Sequence, residues 1–442
     1  MEEFNNSLNF DRILWKEELQ ASAAYAAALM QAGILTKGEN AGIVKALLSM
    51  SSEFETGKFK FKPDDEDIHT AVERRLVEKI GDSGKKLHTG RSRNEQVATD
   101  ERLFIRNANG RTIELITGLQ TAIKDLAEKT LDDIVPSYTH LQQAQLIRLG
   151  HYFMSFFFML ENDRRRFVDF TKRNDVLPLG SGAVAGSTVA LDRNILRQQL
   201  GFNDLTPNSI SAVSDRDFIT EYLFCASQTI VHLSRFAEDI ILWSSSEFKF
   251  VELDDTYATG SSMMPQKKNP DSLELVRGKA SRVISSLNLL LTLQKGLPLT
   301  YSKDLQEDKE PLFDSIETLL STLMVFTGVI STLRIRRENL LKNVDDSIYA
   351  TDIADYLVDN GVPFREAHKI VGKLVLMGIE GNRNLRDFSL IELRKLSKCF
   401  DKDYAGIFDP QRSVERHDVI GGTNRKRLKD QIALAGKLLD AK

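Results

Sequence analysis

Residues 219–240 read ITEYLFCASQTIVHLSRFAEDI, and within them Ile219, Leu223, Ala226, Ile230, Leu233, Ala237 and Ile240 recur at alternating steps of four and three. That 3.5-residue repeat puts the apolar side chains on one face of a helix packed nearly parallel to its neighbours. A second stripe (Val276, Ala280, Val283, Leu287, Leu290) and a shorter third (Ile116, Leu119, Ile123, Leu126) repeat the pattern. No stretch of comparable length alternates with the period of two that a half-buried strand requires. The ten prolines leave the intervals Pro63 to Pro136, Pro207 to Pro265 and Pro311 to Pro363 uninterrupted, long enough for extended helices. The expected fold is all-α, built around a long-helix bundle.

The 442 residues, 42% of them apolar, supply material for a large core and for two or three domains. We expect a helical domain over 1–92, the bundle over 93–341 and a smaller helical domain over 342–442. Cys225 and Cys399 stand far apart, without Cys-x-x-Cys or Cys/His ligand spacing, so neither a disulfide framework nor a zinc site is indicated. The thiols read as reduced and the location as cytoplasmic. The N-terminus opens Met-Glu-Glu-Phe, acidic rather than basic, and no apolar run approaches the roughly 18 residues of a membrane span. Charged residues nearly balance, to −4, which leaves no global basic footprint for nucleic acid. Any anionic ligand must then be met by a local cluster.

Gly, Ser, Pro and Asn gather in a few places between the stripes: Gly81 to Ser92, Gly180 to Ser187 and Thr256 to Pro270. The richest of these holds Gly260-Ser261-Ser262-Met263-Met264-Pro265-Gln266-Lys267-Lys268-Asn269-Pro270, immediately ahead of a helical stripe. Backbone N–H groups near a helix start, with an ammonium group beside them, suit a carboxylate. Composition alone equally describes a mobile, solvated connector. Leu87-His88-Thr89-Gly90-Arg91-Ser92-Arg93-Asn94-Glu95-Gln96-Val97 sets two arginines beside Ser and Asn, and arginine forks suit carboxylates, although an isolated Arg-x-Arg is usually a solvated helix start.

The first of these runs resembles the signature of the fumarase/aspartase superfamily at every specified position, and the second resembles the segment peculiar to argininosuccinate lyases within it. Asp67 to Ala71 with Glu73-Arg74-Arg75, Tyr138-Thr139-His140-Leu141-Gln142, Val213 to Phe218, and Phe4-Asn5-Asn6-Ser7 with Asp11-Arg12 fit the same family, so the resemblance runs over essentially the whole chain. Glu95 stands where the family usually carries Asp, Gln143-Ala144-Gln145-Leu146 replaces Arg-Ala-Gln-Pro, and the longer N-terminal arm of the family has no counterpart before Phe4.

The resemblance implies a β-elimination that splits argininosuccinate into arginine and fumarate, the closing step of arginine biosynthesis and a step of the urea cycle, without metal or organic cofactor. It assigns Ser261 as the base, with Lys267, Asn269 and the loop amides facing the doubly charged aci-carboxylate. His140 becomes the acid on the leaving guanidine, with Glu274 as its carboxylate partner. Substrate-binding roles fall to Ser7, Arg93, Asn94, Thr139, Asn269, Tyr301, Gln306 and Lys309. A bundle helix of about 30 residues is about 45 Å long, so segments this separated need not meet within one subunit. The family forms homotetramers whose active sites draw on three subunits, and the same is expected here. The nearest rival is another superfamily member, such as adenylosuccinate lyase, fumarase or aspartase. A rival of a different class is a non-catalytic structural protein, because delta-crystallins share the scaffold.

Overall fold

The structure, a computed structural model, describes residues 1–440. Helix accounts for 69% of it, about twice the share of an ordinary globular chain. The chain divides into two compact units: Met1–Leu115, Asp163–Val231 and Gly278–Thr322 form the first, and Ile116–Asn162, His232–Arg277 and Leu323–Lys442 the second.

In the first unit, helices α1 (Trp15–Gln31), α2 (Lys37–Glu55) and α3 (Ile68–Ile80) enclose Leu14, Tyr25, Leu29, Ile43, Met50, Ile68 and Leu76, all buried. Their starts are written in the sequence. Thr36 and Glu39 form a reciprocal capping box at α2, and Asp67 caps α3 by accepting from the Thr70 N–H at 2.6 Å. Helix α4 (Arg93–Lys129) is 37 residues long, begins in the first unit and ends in the second.

A two-stranded antiparallel ribbon follows, β1 (Ile134–Thr139) and β2 (Gln142–Arg148), which no alternation in the sequence announces. Its ladder is interrupted by a bulge between Pro136 and Tyr138, and its turn is His140–Leu141, so the usual signals of alternation and Asn-Gly are both missing. Arg148 roots the ribbon: its guanidinium is fully buried, donates to the Leu131 carbonyl and pairs with Glu415, while its backbone N–H donates to Thr423 Oγ1.

Four further long helices complete the scaffold: α5 (Leu149–Asn174), α6 (Asp217–Ser244), α7 (Asp271–Gln294) and α8 (Lys309–Thr332). The stripe from Ile219 to Ile240 is buried at all seven positions of α6. In the second unit Phe156 stacks on Phe236 with centroids 3.9 Å apart, and Tyr152, Phe153, Trp243 and Phe326 surround that pair. The same unit ends in α9 (Ala350–Asp359), α10 (Phe364–Gly381) and α11 (Arg425–Asp440), with a core that includes Ile353, Leu357, Leu374, Phe400 and Val414.

One stretch, Lys303–Thr332, does reach the length and apolarity of a membrane span, against the expectation that no run would, with a mean hydropathy of 1.4 in its most apolar window. Half of that window is buried inside the protein, and Leu312, Leu319, Leu323, Phe326 and Ile330 of α8 are core residues. A helix that packs one face into a protein core is apolar along that face for that reason alone. Cys225 and Cys399 are both free.

Candidate active site

The arginine-bearing segment is organised by the start of α4. Ser92 precedes its first turn and accepts the Asn94 N–H at 3.3 Å through Oγ, and Glu95, fully buried, accepts the Ser92 N–H at 3.0 Å through one oxygen. Its other oxygen accepts the Gly182 N–H at 2.8 Å, so a single carboxylate ties this turn to the glycine-rich loop. Burial raises the pKa of Glu95, against the pull of these backbone donors. Arg91 is buried, stacks its guanidinium 5.2 Å from the Tyr25 ring and donates to Ser22 Oγ at 3.0 Å. Arg93 is only partly covered: it ion-pairs with Asp67 at 3.1 Å and donates to Thr70 Oγ1 and to Gln96 Oε1. Among the described residues the Asn94 side chain has no hydrogen-bond partner, which leaves an amide free beside that guanidinium.

Of the other expected binding residues of the first unit, Ser7 is tied to the segment at 66–68. Ser7 donates through Oγ to Asp11 at 2.6 Å and through its N–H to the Glu66 carbonyl, while Asp11 accepts the Ile68 N–H. Gln306 donates to the Asn5 carbonyl at 3.3 Å. Tyr301 is half-buried, and burial raises its pKa. Lys309 is only 4% exposed and is held by Glu101 at 2.7 Å and Asp308 at 2.9 Å, carboxylates that Arg216 also faces. Those partners outweigh the cost of burial and keep the ammonium charged. Lys309 thus stands inside a four-charge network, not free in solvent.

The second unit carries the remaining candidates. Thr139 and His140 are exposed at the tip of the ribbon, where His140 and Leu141 take φ of +54° and +58°. Two consecutive non-glycine residues in the left-handed region cost about 1–2 kcal/mol each, strain that native proteins retain chiefly at functional positions. The loop of Ser261 to Lys267 is closed at its neck by a short antiparallel ladder that pairs Thr259 with Asn269 and Gly260 with Lys268. Within it Ser261 Oγ accepts the N–H groups of Met264 at 3.0 Å and Met263 at 3.3 Å. Donors aimed at an oxygen stabilise it as an anion. The two lysines differ: Lys268 pairs with Asp255 at 2.5 Å and Glu252 at 3.5 Å, whereas among the described residues Lys267 has no partner and is exposed. Glu274 is exposed on the first turn of α7, and within the chain it makes no hydrogen bond to His140 among the described residues.

A lyase family matches residues 1–285, and the argininosuccinate lyase C-terminal family matches residues 347–415. The chain is 50% identical over 422 residues to the argininosuccinate lyase of Caldanaerobacter subterraneus subsp. tengcongensis, covering 95% of each chain. It is 47% identical over 440 residues to that of Carboxydothermus hydrogenoformans, covering 99% of this chain and 96% of the other. The chain belongs to the argininosuccinate lyase family. Among solved structures it is similar to an EDDS lyase in complex with formate, with a TM-score of 0.88 and 30% identity over 98% of this chain and 87% of that one. It is a carbon–nitrogen lyase of the fumarase/aspartase superfamily, mostly α as expected.

Behind the arginine segment this lyase carries a buried polar cluster to which sequence reasoning gave no role. Glu18 of α1 accepts from His69 Nδ1 and from Gln96 Nε2, both at 2.6 Å, and from Ser22 Oγ at 2.6 Å. Asp100 lies 3.4 Å from the same imidazole nitrogen, and burial, then the Glu18 charge, raises its pKa well above the usual carboxylate range. Burial would raise that of Glu18 too, but His69 and Arg91 outweigh it and keep the group ionised. His69 stands in the quoted family run; Glu18 and Asp100 belong to charged stretches that read as solvated helix faces, and no local signal distinguishes them.

Proposed function

We propose that the protein splits argininosuccinate into arginine and fumarate. The observation that carries the mechanism is the loop oxygen of Ser261, which accepts two backbone N–H groups in the same loop as Lys267, an ammonium with no partner among the described residues. A serine hydroxyl is a poor base at neutral pH unless its alkoxide is stabilised, and these donors, with Lys267, are what such stabilisation requires. Ser261 takes the proton from the succinyl carbon next to a carboxylate. The charge that collects on that carboxyl group as an aci-carboxylate faces Lys267, Asn269 and the loop amides. The bond from the neighbouring carbon to the guanidine nitrogen then breaks, and His140, partnered by Glu274, delivers a proton to the departing nitrogen. Ser7, Arg93, Asn94, Thr139, Tyr301 and Gln306 bind the substrate; Lys309 acts from within its ion network, by the field it projects more than by direct contact.

The working enzyme is read as a homotetramer, soluble in the cytoplasm, whose sites draw on several subunits. Large apolar side chains left exposed on long helices support assembly: Leu275, Ile284, Leu289 and Leu291 on α7, Phe224 on α6 and Met324 on α8. The exposed ribbon tip, strained around His140, supports a residue offered to a neighbouring subunit. The deciding experiment follows fumarate by ultraviolet absorbance when purified protein meets argininosuccinate, adenylosuccinate, malate and aspartate separately. Fumarate from argininosuccinate alone is the expected result. Fumarate from another substrate overturns the specificity, and silence from all four in a folded tetramer favours a structural role.

A further inference from the structure

We propose that Gln96 is a positioning residue that aims Arg93 at a substrate carboxylate; the inference rests on the reading that Arg93 binds substrate. Gln96 is 1% exposed, so its side chain does not reach the substrate itself. Its amide bridges two charged groups: Nε2 donates to Glu18 Oε2 at 2.6 Å, and Oε1 accepts from Arg93 Nη1 at 2.6 Å. The bridge has one sense. Ionised Glu18 only accepts hydrogen bonds, so the Gln96 NH2 must face it, which turns the amide oxygen towards the guanidinium. Glu18 is itself fixed from two other directions, by Ser22 Oγ and by His69 Nδ1. The carboxylate cannot rotate away without leaving a buried donor unsatisfied.

On Arg93 the consequence is geometric. Asp67 faces Nε at 3.1 Å, Thr70 Oγ1 accepts from Nη2 at 3.2 Å and Gln96 from Nη1. Each terminal nitrogen carries two N–H groups, so among the described residues one on each stays unused, and a planar bidentate carboxylate contact needs two such groups. Of the three restraints, the Gln96 contact is the shortest and the one backed by a buried, fully held partner. Without it, the guanidinium turns about its remaining contacts and the fork loses its aim. The same carboxylate reaches Arg91 through Ser22, whose Oγ accepts from Arg91 Nη1 at 3.0 Å. Both arginines of the segment therefore hang from Glu18, but only Arg93 keeps exposed surface.

The test is Gln96→Met in the full tetrameric enzyme, which keeps the volume and removes both hydrogen bonds. The expected result is a KM for argininosuccinate raised roughly tenfold, with kcat changed less than about threefold, because a charged hydrogen bond that orients a binding group is lost and the reacting atoms are untouched. Arg93→Ala should raise KM further, and adding Gln96→Met to it should change KM by less than about twofold, since a residue that acts through Arg93 has nothing left to act on. Multiplying effects in the double variant, or an unchanged KM in Gln96→Met beside a raised one in Arg93→Ala, would overturn the proposal. An unchanged KM in Arg93→Ala instead overturns the reading of Arg93, and the proposal with it. Should Gln96→Met fail to assemble, Gln96→Asn keeps the amide but is one methylene too short to reach Glu18 and Arg93 at once: a KM raised roughly tenfold in assembled protein supports the proposal, and an unchanged KM beside a raised one in Arg93→Ala refutes it.

Discussion

At the scale of single residues, the signature loop presents two adjacent ammonium groups with different duties. Lys268 is pinned to Asp255 and Glu252, an anchor for the loop's neck, whereas Lys267 faces solvent without a partner among the described residues. Removal of a charge that meets the developing aci-carboxylate costs on the order of 10²–10³ in kcat; removal of an exposed ion pair costs about 1 kcal/mol or less of stability. Lys267→Met should therefore lower kcat by about 10²-fold or more while Lys268→Met stays within about tenfold of the parent, as steady-state fumarate release will read. Ser261→Ala and His140→Asn should each abolish most turnover and leave sedimentation unchanged; near-parental turnover in either would strip that residue of its role. These candidates were legible because glycine, serine, lysine and asparagine crowd into one loop, and chemistry in a loop stands out against helical stripes. Glu18 and Gln96 were not, since their partners His69 and Glu18 lie 51 and 78 positions away in the chain, and a glutamate in Trp15-Lys16-Glu17-Glu18 reads as solvated until the tertiary partner is known.

The elements divide in the same way. The stripes of α4 and α6 could be read because burial on one face imposes a period, and every residue of those two stripes is buried. The ribbon β1–β2 escaped, because a bulge breaks its alternation and its turn uses His140 and Leu141 where glycine or asparagine would be easier. Packing against the signature loop was equally hidden: the Tyr257 ring lies over Gly328 of α8 so closely that a Cβ there would collide with its phenol. Gly328→Ala gains up to about 1 kcal/mol of helix propensity but overpacks the site by about 1–3 kcal/mol, so a lower Tm and weaker activity are expected, and Tyr257→Ala in the same chain should recover part of the loss in Tm. Between α2 and α3, Arg75 and then Lys79 hold Glu53 at a pKa of about 2, below its ordinary 4.5. A depressed carboxylate stabilises the fold above its unfolded pKa and loses that contribution as pH falls towards the folded value. Denaturant titrations at pH 7 and pH 3 should accordingly show a smaller acid-induced loss in Glu53→Gln than in the parent.

For the whole molecule, the proposed groups fall by membership into two sets: Ser7, Arg93, Asn94, Tyr301, Gln306 and Lys309 belong to the first compact unit, and Thr139, His140, Ser261, Lys267, Asn269 and Glu274 to the second. Helix periodicity reveals that faces must be covered, but not which copy of the chain covers them, so the composition of a shared site was open to sequence reasoning only through family resemblance. Mixed tetramers decide it. A Ser261→Ala subunit keeps His140, and a His140→Asn subunit keeps Ser261. If one site takes these two residues from different subunits, random reassembly of equal amounts gives each a one-half chance of coming from the intact source, and about a quarter of the sites hold both. Two inactive preparations, dissociated together and reassembled, should then regain about a quarter of parental activity, whereas either preparation treated alone regains none. If both residues come from the same subunit, every site carries one lesion and the mixture stays silent. Recovery would thus establish that the exposed ribbon tip serves a neighbour's loop, and silence in reassembled tetramers would return His140 and Ser261 to a single chain.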